Sequence, residues 1–471
     1  MISTFINAWK VADLRKKMLF TALIVLIFRI GAAIPVPFTN ISGDNGIIDP
    51  TGETFMNYLS MMTGEAFAYG TIFALSITPY INSSIIIQLL GVVIPALEKL
   101  SKEGEEGRKK IAAITRYTTI GLALLQSTAY FIYLRAQGYV VTDANGELFT
   151  GFAAVLQGLA VILCLTAGSC FVMWLGEQVN EKGIGNGISI ILFAGIVSRI
   201  PTLVYMMYAH LIQGGAYYAL VPIVAICLLA MIAFIVWMDN AERRIPVQYA
   251  KRVVGRKMYG GQSSNIPLKL NMTGVMPVIF ASSIVSLVPT ILTLCQVKET
   301  TKGFWGWLYR FLASDGAVYP ILLFVLIIAF AYFYTQITFD PMDVANNLKK
   351  QGGAIPGIRQ GRPTADYIRK ILNKVTLVGA LFLSIIAVTP VIIGPHVLQP
   401  FLEWLITPAF AGTYYEMIGL LDYFVQQQAS GLTSIFTFGG TSILIVVGVA
   451  LETFRELEAQ LTMRNYKGFL N

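Results

Sequence analysis

Apolar stretches of roughly 20 residues recur along the whole chain, and no other feature narrows its possible folds so far. A hydrocarbon layer about 30 Å thick offers no water to backbone amides, so a segment entering it must pair its N–H and C=O groups internally, as a helix does. By length alone, 471 residues would suggest two or three soluble domains, but 55% hydrophobic and 13% charged content exclude that reading. Hydropathy predicts spans at about Leu19–Ile34, Ile72–Leu97, Ile111–Leu134, Phe152–Leu175 and Ile188–Met207. Five more are predicted at about Leu220–Met238, Met272–Cys295, Val318–Ile337, Val375–Ile393 and Thr437–Leu451. The expected fold class is an all-α integral membrane protein. No cleavable signal is expected, because Ala32-Ala33-Ile34-Pro35 opens a loop rather than a cleavage site.

Charge orients this array, since Lys and Arg accumulate in loops that stay on the cytoplasmic side. With the N-terminus inside, 28 of the 34 basic residues fall in inside segments, and only Arg135, Arg199, Lys298, Lys302 and Arg310 fall outside. Arg29 lies within the first span. The asymmetry predicts an even number of spans with both termini cytoplasmic. Two basic loops, Asp239–Asn271 and Thr338–Lys374, exceed what a helical connection needs. They suit docking of an RNA-bearing or acidic protein partner, beyond the attraction to anionic lipid that sets topology.

Ten spans divide as five plus five, and an odd number per half places the second half upside down relative to the first. The expected organisation is a segment 1–18, a first half 19–210, a second half 211–460 and a tail 461–471. Cys164, Cys170, Cys227 and Cys295 lie in apolar segments without ligand spacing, and His210 and His396 are the two histidines, so neither metal nor cofactor is expected.

One apolar stretch is too short and polar to cross. Residues 53–70 are interrupted by Gly64, Glu65 and Gly70. They read either as a re-entrant segment beside a cavity or as an amphipathic helix on the outer interface. Immediately after comes Ser76 to Gln88, with Pro79 expected to break the helical ladder and polar residues expected to face a cavity or another helix.

Several runs occur in an order that resembles the SecY family of protein translocases. They are Phe28-Arg-Ile-Gly31, the run Pro79 to Gln88, Glu103-Gly-Glu-Glu-Gly-Arg-Lys-Lys110, Met173-Trp-Leu-Gly-Glu-Gln178 and Gly183-Ile-Gly-Asn-Gly-Ile-Ser189. Further on stand Arg243-Arg244, Pro267-Leu-Lys-Leu-Asn271, Asp343-Val-Ala-Asn-Asn-Leu-Lys-Lys350, Pro356-Gly-Ile-Arg359 and Phe438-Gly-Gly-Thr-Ser442. The resemblance implies ten helices in two inverted halves, with a re-entrant plug helix and a constricting aliphatic ring. The matching ring positions are Ile77, Ile81, Ile188, Leu192, Ile279 and Ile445. Within it, Ile77 and Ile81, like Ile188 and Leu192, are four apart and share a helical face. Such a ring offers no ligand to an ion and dewets when closed.

The resemblance further assigns residues 53–70 to the plug, where Ser60, Gly64, Ala66 and Ala68 would allow close packing. It places Gln88 and Asn271 at a lateral gate between the second and seventh spans, and Arg243, Arg244 and Arg359 on a surface for a ribosome or the SecA motor. Implied partners are SecE, SecG, SecA, the ribosome, signal-bearing polypeptides and membrane lipid, in a bacterial plasma membrane. One departure is the stretch 394–435, expected as an outer insertion where the family has a short connection.

The expected function is a protein-conducting channel rather than an enzyme. A secondary transporter of a small solute is the alternative, but it should display charged ligands at the midplane, where this chain is aliphatic. No HExxH motif, paired membrane aspartates or Walker loop supports an enzyme.

Overall fold

The computed structural model describes residues 2–41, 60, 63–142, 149–213, 217–249, 252–254, 257–259, 263–294, 297, 302–312, 318–393 and 440–462. The expected insertion at 394–435, and residues 53–59, 61 and 62 of the expected plug, lie outside the described residues. The first half of the chain supplies helices α1 (Ile2–Lys10), α2 (Ala12–Gly31), α3 (Thr78–Val93), α4 (Pro95–Lys102), α5 (Glu105–Ala136), α6 (Gly151–Lys182), α7 (Gly187–Val197) and α8 (Ile200–Gln213). The second half supplies α9 (Tyr217–Asp239), α10 (Met276–Leu294), α11 (Phe304–Leu312), α12 (Val318–Thr338), α13 (Pro341–Lys350), α14 (Arg362–Ile393) and a last helix α15 (440–462). Five described helical stretches are long and apolar enough to cross a bilayer: Gly151–Lys182, Gly187–Ile212, Leu220–Asp239, Val318–Lys350 and Arg362–Ile393. The molecule is a multi-pass membrane protein.

Several helices run past the hydrocarbon that their hydropathy marks. α5 begins at Glu105 rather than near Ile111, with Glu105 and Glu106 in its first turn, where carboxylates complement the positive helix end. Each carboxylate also meets a lysine one turn on, Lys109 at 3.4 Å and Lys110 at 3.5 Å, exposed pairs worth about 0.3–0.5 kcal/mol each. α14 likewise starts at Arg362, thirteen residues before the predicted Val375. Pro79 does not break the second span. It sits in the first turn of α3, where its missing N–H costs nothing because first-turn N–H groups have no intrahelical partner. The expected fifth span is divided at Ser198–Arg199 into α7 and α8, with Pro201 opening the second piece.

The helices pack mainly within their own half. α5 packs on α3 and α6, α2 packs on α6 and α7, and α12 lies between α10 and α14. The two halves meet where α10 packs against α3 and α5. One large buried cluster runs through this junction and takes in residues of both halves. Lipid-facing side chains lie outside it, among them Leu159 on α6 and Ile226 and Leu229 on α9.

The two long basic loops are partly β-structure, which the hydropathy reading does not foresee. β1 (Glu242–Tyr249) pairs antiparallel with β4 (Ser263–Lys269) in the register Ile245↔Ile266, and on its other edge with β5 (Gly353–Ala354) in the register Gln248↔Ala354. A short ladder of β2 (Arg252–Val254) and β3 (Lys257–Tyr259) extends the hairpin. Alternation along β1 buries Ile245 and Val247 against Leu268, Leu348, Ile355 and Ile368. The two loops therefore share one small core and form a single module on the basic side.

Candidate functional site

All six expected ring residues lie in the one cluster at the junction of the halves. Ile77, Ile81, Leu192, Ile279 and Ile445 are at most 2% exposed and Ile188 is 9% exposed, so solvent hardly reaches any of the six. Local sequence explains how they arrive there. Ile77 is the residue before α3 and its carbonyl accepts from Ile81 N–H at 3.1 Å, which carries the two side chains to one face. Asn186 caps α7, its side chain accepting from Ile188 N–H at 3.0 Å, and Asn180 accepts from Gly187 N–H at 2.7 Å. Gly187 admits the end of α6 so closely that an added Cβ would lie 1.9 Å from the Gly176 carbonyl oxygen. The run Gly183 to Ser189 is thus a tight turn and cap that aims Ile188 and Leu192 inward.

Residues 63–77 follow as a series of turns rather than an α-helix. Gly64 and Glu65 stand consecutively in the left-handed region, at φ +64° and +72°. This geometry turns the Gly64 carbonyl toward Arg29 of α2, whose Nη1 donates to it at 3.2 Å. Glu65 pairs with Arg199 at the α7–α8 break, Oε1 to Nε 3.1 Å. On α5, the buried Tyr130 donates its hydroxyl to the Phe67 carbonyl at 2.7 Å and packs its ring on Phe67, centroids 4.8 Å apart. Of the expected plug residues, Ser60, Ala66 and Ala68 are at most 3% exposed, and Gly64 stands where a Cβ would meet the Arg29 guanidinium.

The expected gate residues are not partnered with each other. Gln88 on α3 accepts from the Tyr334 hydroxyl of α12 in a short hydrogen bond and donates to Ser84 Oγ at 3.1 Å. Asn271, just before α10, donates to Asp239 Oδ1 at 3.2 Å. Asp239 in turn pairs with Arg455 of α15 at 2.7 Å, so Asn271 belongs to a node at the basic ends of α9 and α15. The helices themselves do adjoin: α3 and α10 face each other across a groove lined by Thr78 and Asn82 on one side and Ser283, Ser286 and Thr290 on the other.

Arg243, Arg244 and Arg359 are all exposed on the β-module. Arg243 and Arg244 stand on β1, and Arg244 pairs with Glu242 at 2.7 Å. Arg359 follows a turn at Gly357, φ +78°, and its carbonyl accepts from Thr364 Oγ1 at 2.8 Å at the head of α14.

From the sequence alone Arg29 has no role, Arg199 counts among external charges, Glu65 only interrupts an apolar stretch, and Tyr130 and Tyr334 are not singled out. A charge inside an apolar span was the available signal for Arg29, since its cost of about 2.5–3.5 kcal/mol demands a partner. Tyr334 carries no such signal, because an aromatic residue in a span is ordinary.

Comparisons with known proteins agree on one family. The SecY family model matches residues 71–454. The chain is 42% identical to the protein translocase subunit SecY of Streptomyces coelicolor over 100% of both chains, and 40% identical to that of Mycobacterium tuberculosis over 100% of both. Among solved structures, it resembles "The structure of a protein conducting channel" with a TM-score of 0.63 at 17% identity, covering 94% of this chain and 92% of that one. A SecY structure whose plug domain is described as stabilising the closed state matches with a TM-score of 0.60 at 18% identity over the same shares. Sec61 in a canine ribosome-channel complex matches with a TM-score of 0.59 at 17% identity, again over 94% and 92%.

Proposed function

This chain belongs to the SecY family of protein translocases, and on that premise we propose that six aliphatic side chains within its buried cluster form the constriction through which an unfolded polypeptide passes. The chain is a protein-conducting channel and not an enzyme. The observation that carries the assignment is the burial of Ile77, Ile81, Ile188, Leu192, Ile279 and Ile445 in one cluster fed by both halves. A collar of such side chains binds no ion and dewets when closed, yet yields around an extended chain because its contacts are dispersive and non-directional. Residues 53–70 act as the plug that covers this collar at rest, consistent with the sealing role stated for the plug domain of the related SecY structure.

The lateral gate is the α3–α10 seam, with Gln88 on α3 and Asn271 just before α10, and its parting releases signal and transmembrane segments to lipid. Polar pairs between membrane helices average only about 0.6 kcal/mol, weak enough for a seam that must open. The β-module with Arg243, Arg244 and Arg359 is the docking surface for the ribosome or the SecA ATPase, both of which offer the phosphates or carboxylates that a guanidinium fork matches. A ribosome is the partner named for the canine Sec61 structure that this chain resembles. SecE and SecG are the small membrane subunits expected on the exposed apolar faces. With the basic loops cytoplasmic, both termini lie in the cytoplasm, and the Streptomyces and Mycobacterium relatives support a bacterial plasma membrane.

The test is reconstitution. Vesicles holding the purified complex with its motor ATPase should accumulate a secretory polypeptide, take up no small solute and, without the motor, hydrolyse no nucleotide. Nucleotide turnover by this subunit alone, or solute uptake without polypeptide transport, would overturn the reading.

A further inference from the structure

Contacts that hold residues 63–71 come from the first half of the chain, among them ones from α2, from α5 and from the α7–α8 break. Arg29 of α2 donates to the Gly64 carbonyl, Arg199 at the α7–α8 break pairs with Glu65, and Tyr130 of α5 donates to the Phe67 carbonyl. Toward the second half, the same segment presents Thr63 and Phe67 to a groove whose far wall is α10. The hydroxyls of Ser286 and Thr290 on that wall bond within α10, to the carbonyls of Ser283 and Ser286. The segment is therefore tied by hydrogen bonds and charge to one half and faces a groove on the other.

We propose that Arg29 and Arg199 form a latch that keeps the plug attached to the first half while α3 and α10 part, and that breaking the Glu65–Arg199 pair is the separate step that uncovers the pore. The proposal rests on reading residues 53–70 as the seal. Its physical basis is a balance within one turn. Glu65 is a non-glycine residue in the left-handed region, a conformation that persists only where its surroundings hold it. Arg199 is 17% exposed and Glu65 32%, so their attraction is only partly screened and holds that turn in place. Once the pair breaks, the turn is free to relax, and the plug has no reason to return until the two charges meet again. The latch residues are positioning residues: they touch the seal and not the passing chain. Because the pair must break before the pore is uncovered, its strength also sets how strong a signal segment must be to open the channel.

A charge-swap series tests this in the complete reconstituted complex, with resting ion leak as the readout and passage of a secretory chain as the control. Arg199→Glu and Glu65→Arg should each raise resting leak about tenfold, the ratio that ~1.4 kcal/mol corresponds to, and should admit chains bearing weakened signals. The double variant Glu65→Arg with Arg199→Glu should restore leak to near the unmodified level, and Arg199→Lys should lie between. Should a reversed charge prevent assembly, Glu65→Gln and Arg29→Gln are read by the same criterion. Single variants that leak no more than the unmodified complex, or a double variant that leaks as much as the singles, would overturn the latch. If the unmodified complex passes no polypeptide, the channel reading fails instead, and the two failures are distinct.

Discussion

An added Cβ on Gly64 would lie 2.6 Å from the Arg29 guanidinium and 3.0 Å from the Gly195 carbonyl, in a backbone already at φ +64°. Both facts favour glycine at this position, since a side chain would strain the backbone and push aside the Arg29 guanidinium that bonds the Gly64 carbonyl. At the seam between halves, Tyr334 plays a different part. Its hydroxyl gives Gln88 a partner across α3 and α12, and Phe at that position would keep the ring and delete the bond. Tyr334→Phe should cost about 0.6 kcal/mol of closed-state preference, a few-fold shift toward opening, read as increased transport of a substrate with a weakened signal. Transport identical to the unmodified channel would show that this contact does not hold the seam.

Among elements, the β-module is the proposed docking surface. β5 ties the second basic loop to the first, so Arg359 and the pair Arg243–Arg244 ride on one small core around Val247 and Leu268. Replacing Arg243 and Arg244 together by Glu should weaken motor or ribosome binding by tenfold or more at low salt, with the deficit narrowing as ionic strength rises and screening takes over. A binding assay across a salt series checks this, and a deficit independent of salt would point to damaged folding of the hairpin. The module was not legible from hydropathy, because its strands are short, polar and carry prolines at Pro246 and Pro267. The membrane helices were legible because the bilayer forces apolar length on them, although their watery extensions at Glu105 and Arg362 were not. The six ring positions came from family resemblance rather than from the residues, since an isoleucine pair four apart looks the same whether it faces lipid or a pore. What lay beyond reach were contacts between distant segments: Glu65 with Arg199, Gln88 with Tyr334, and Asn271 with Asp239. Pair geometry of this kind depends on how turns such as Gly64–Glu65 aim a carbonyl, and no period in the sequence encodes it.

At the scale of the whole molecule, the proposed constriction lies at the junction of the halves. The six ring side chains there are aliphatic, buried and supplied from both sides, so widening the ring should cost the seal before it costs the fold. Replacing Ile81 and Ile279 together by glycine should raise resting ion conductance well above the unmodified level while polypeptide still passes; unchanged conductance would count against a gasket. The most direct measurement follows the substrate itself. Cysteines placed singly at the six ring positions should each crosslink to an arrested chain in transit, while cysteines at the outward-facing Ile223 and Leu229, 54% and 65% exposed, should not. Crosslinks that favour the outward positions, or that miss the ring altogether, would contradict passage through the centre of this molecule.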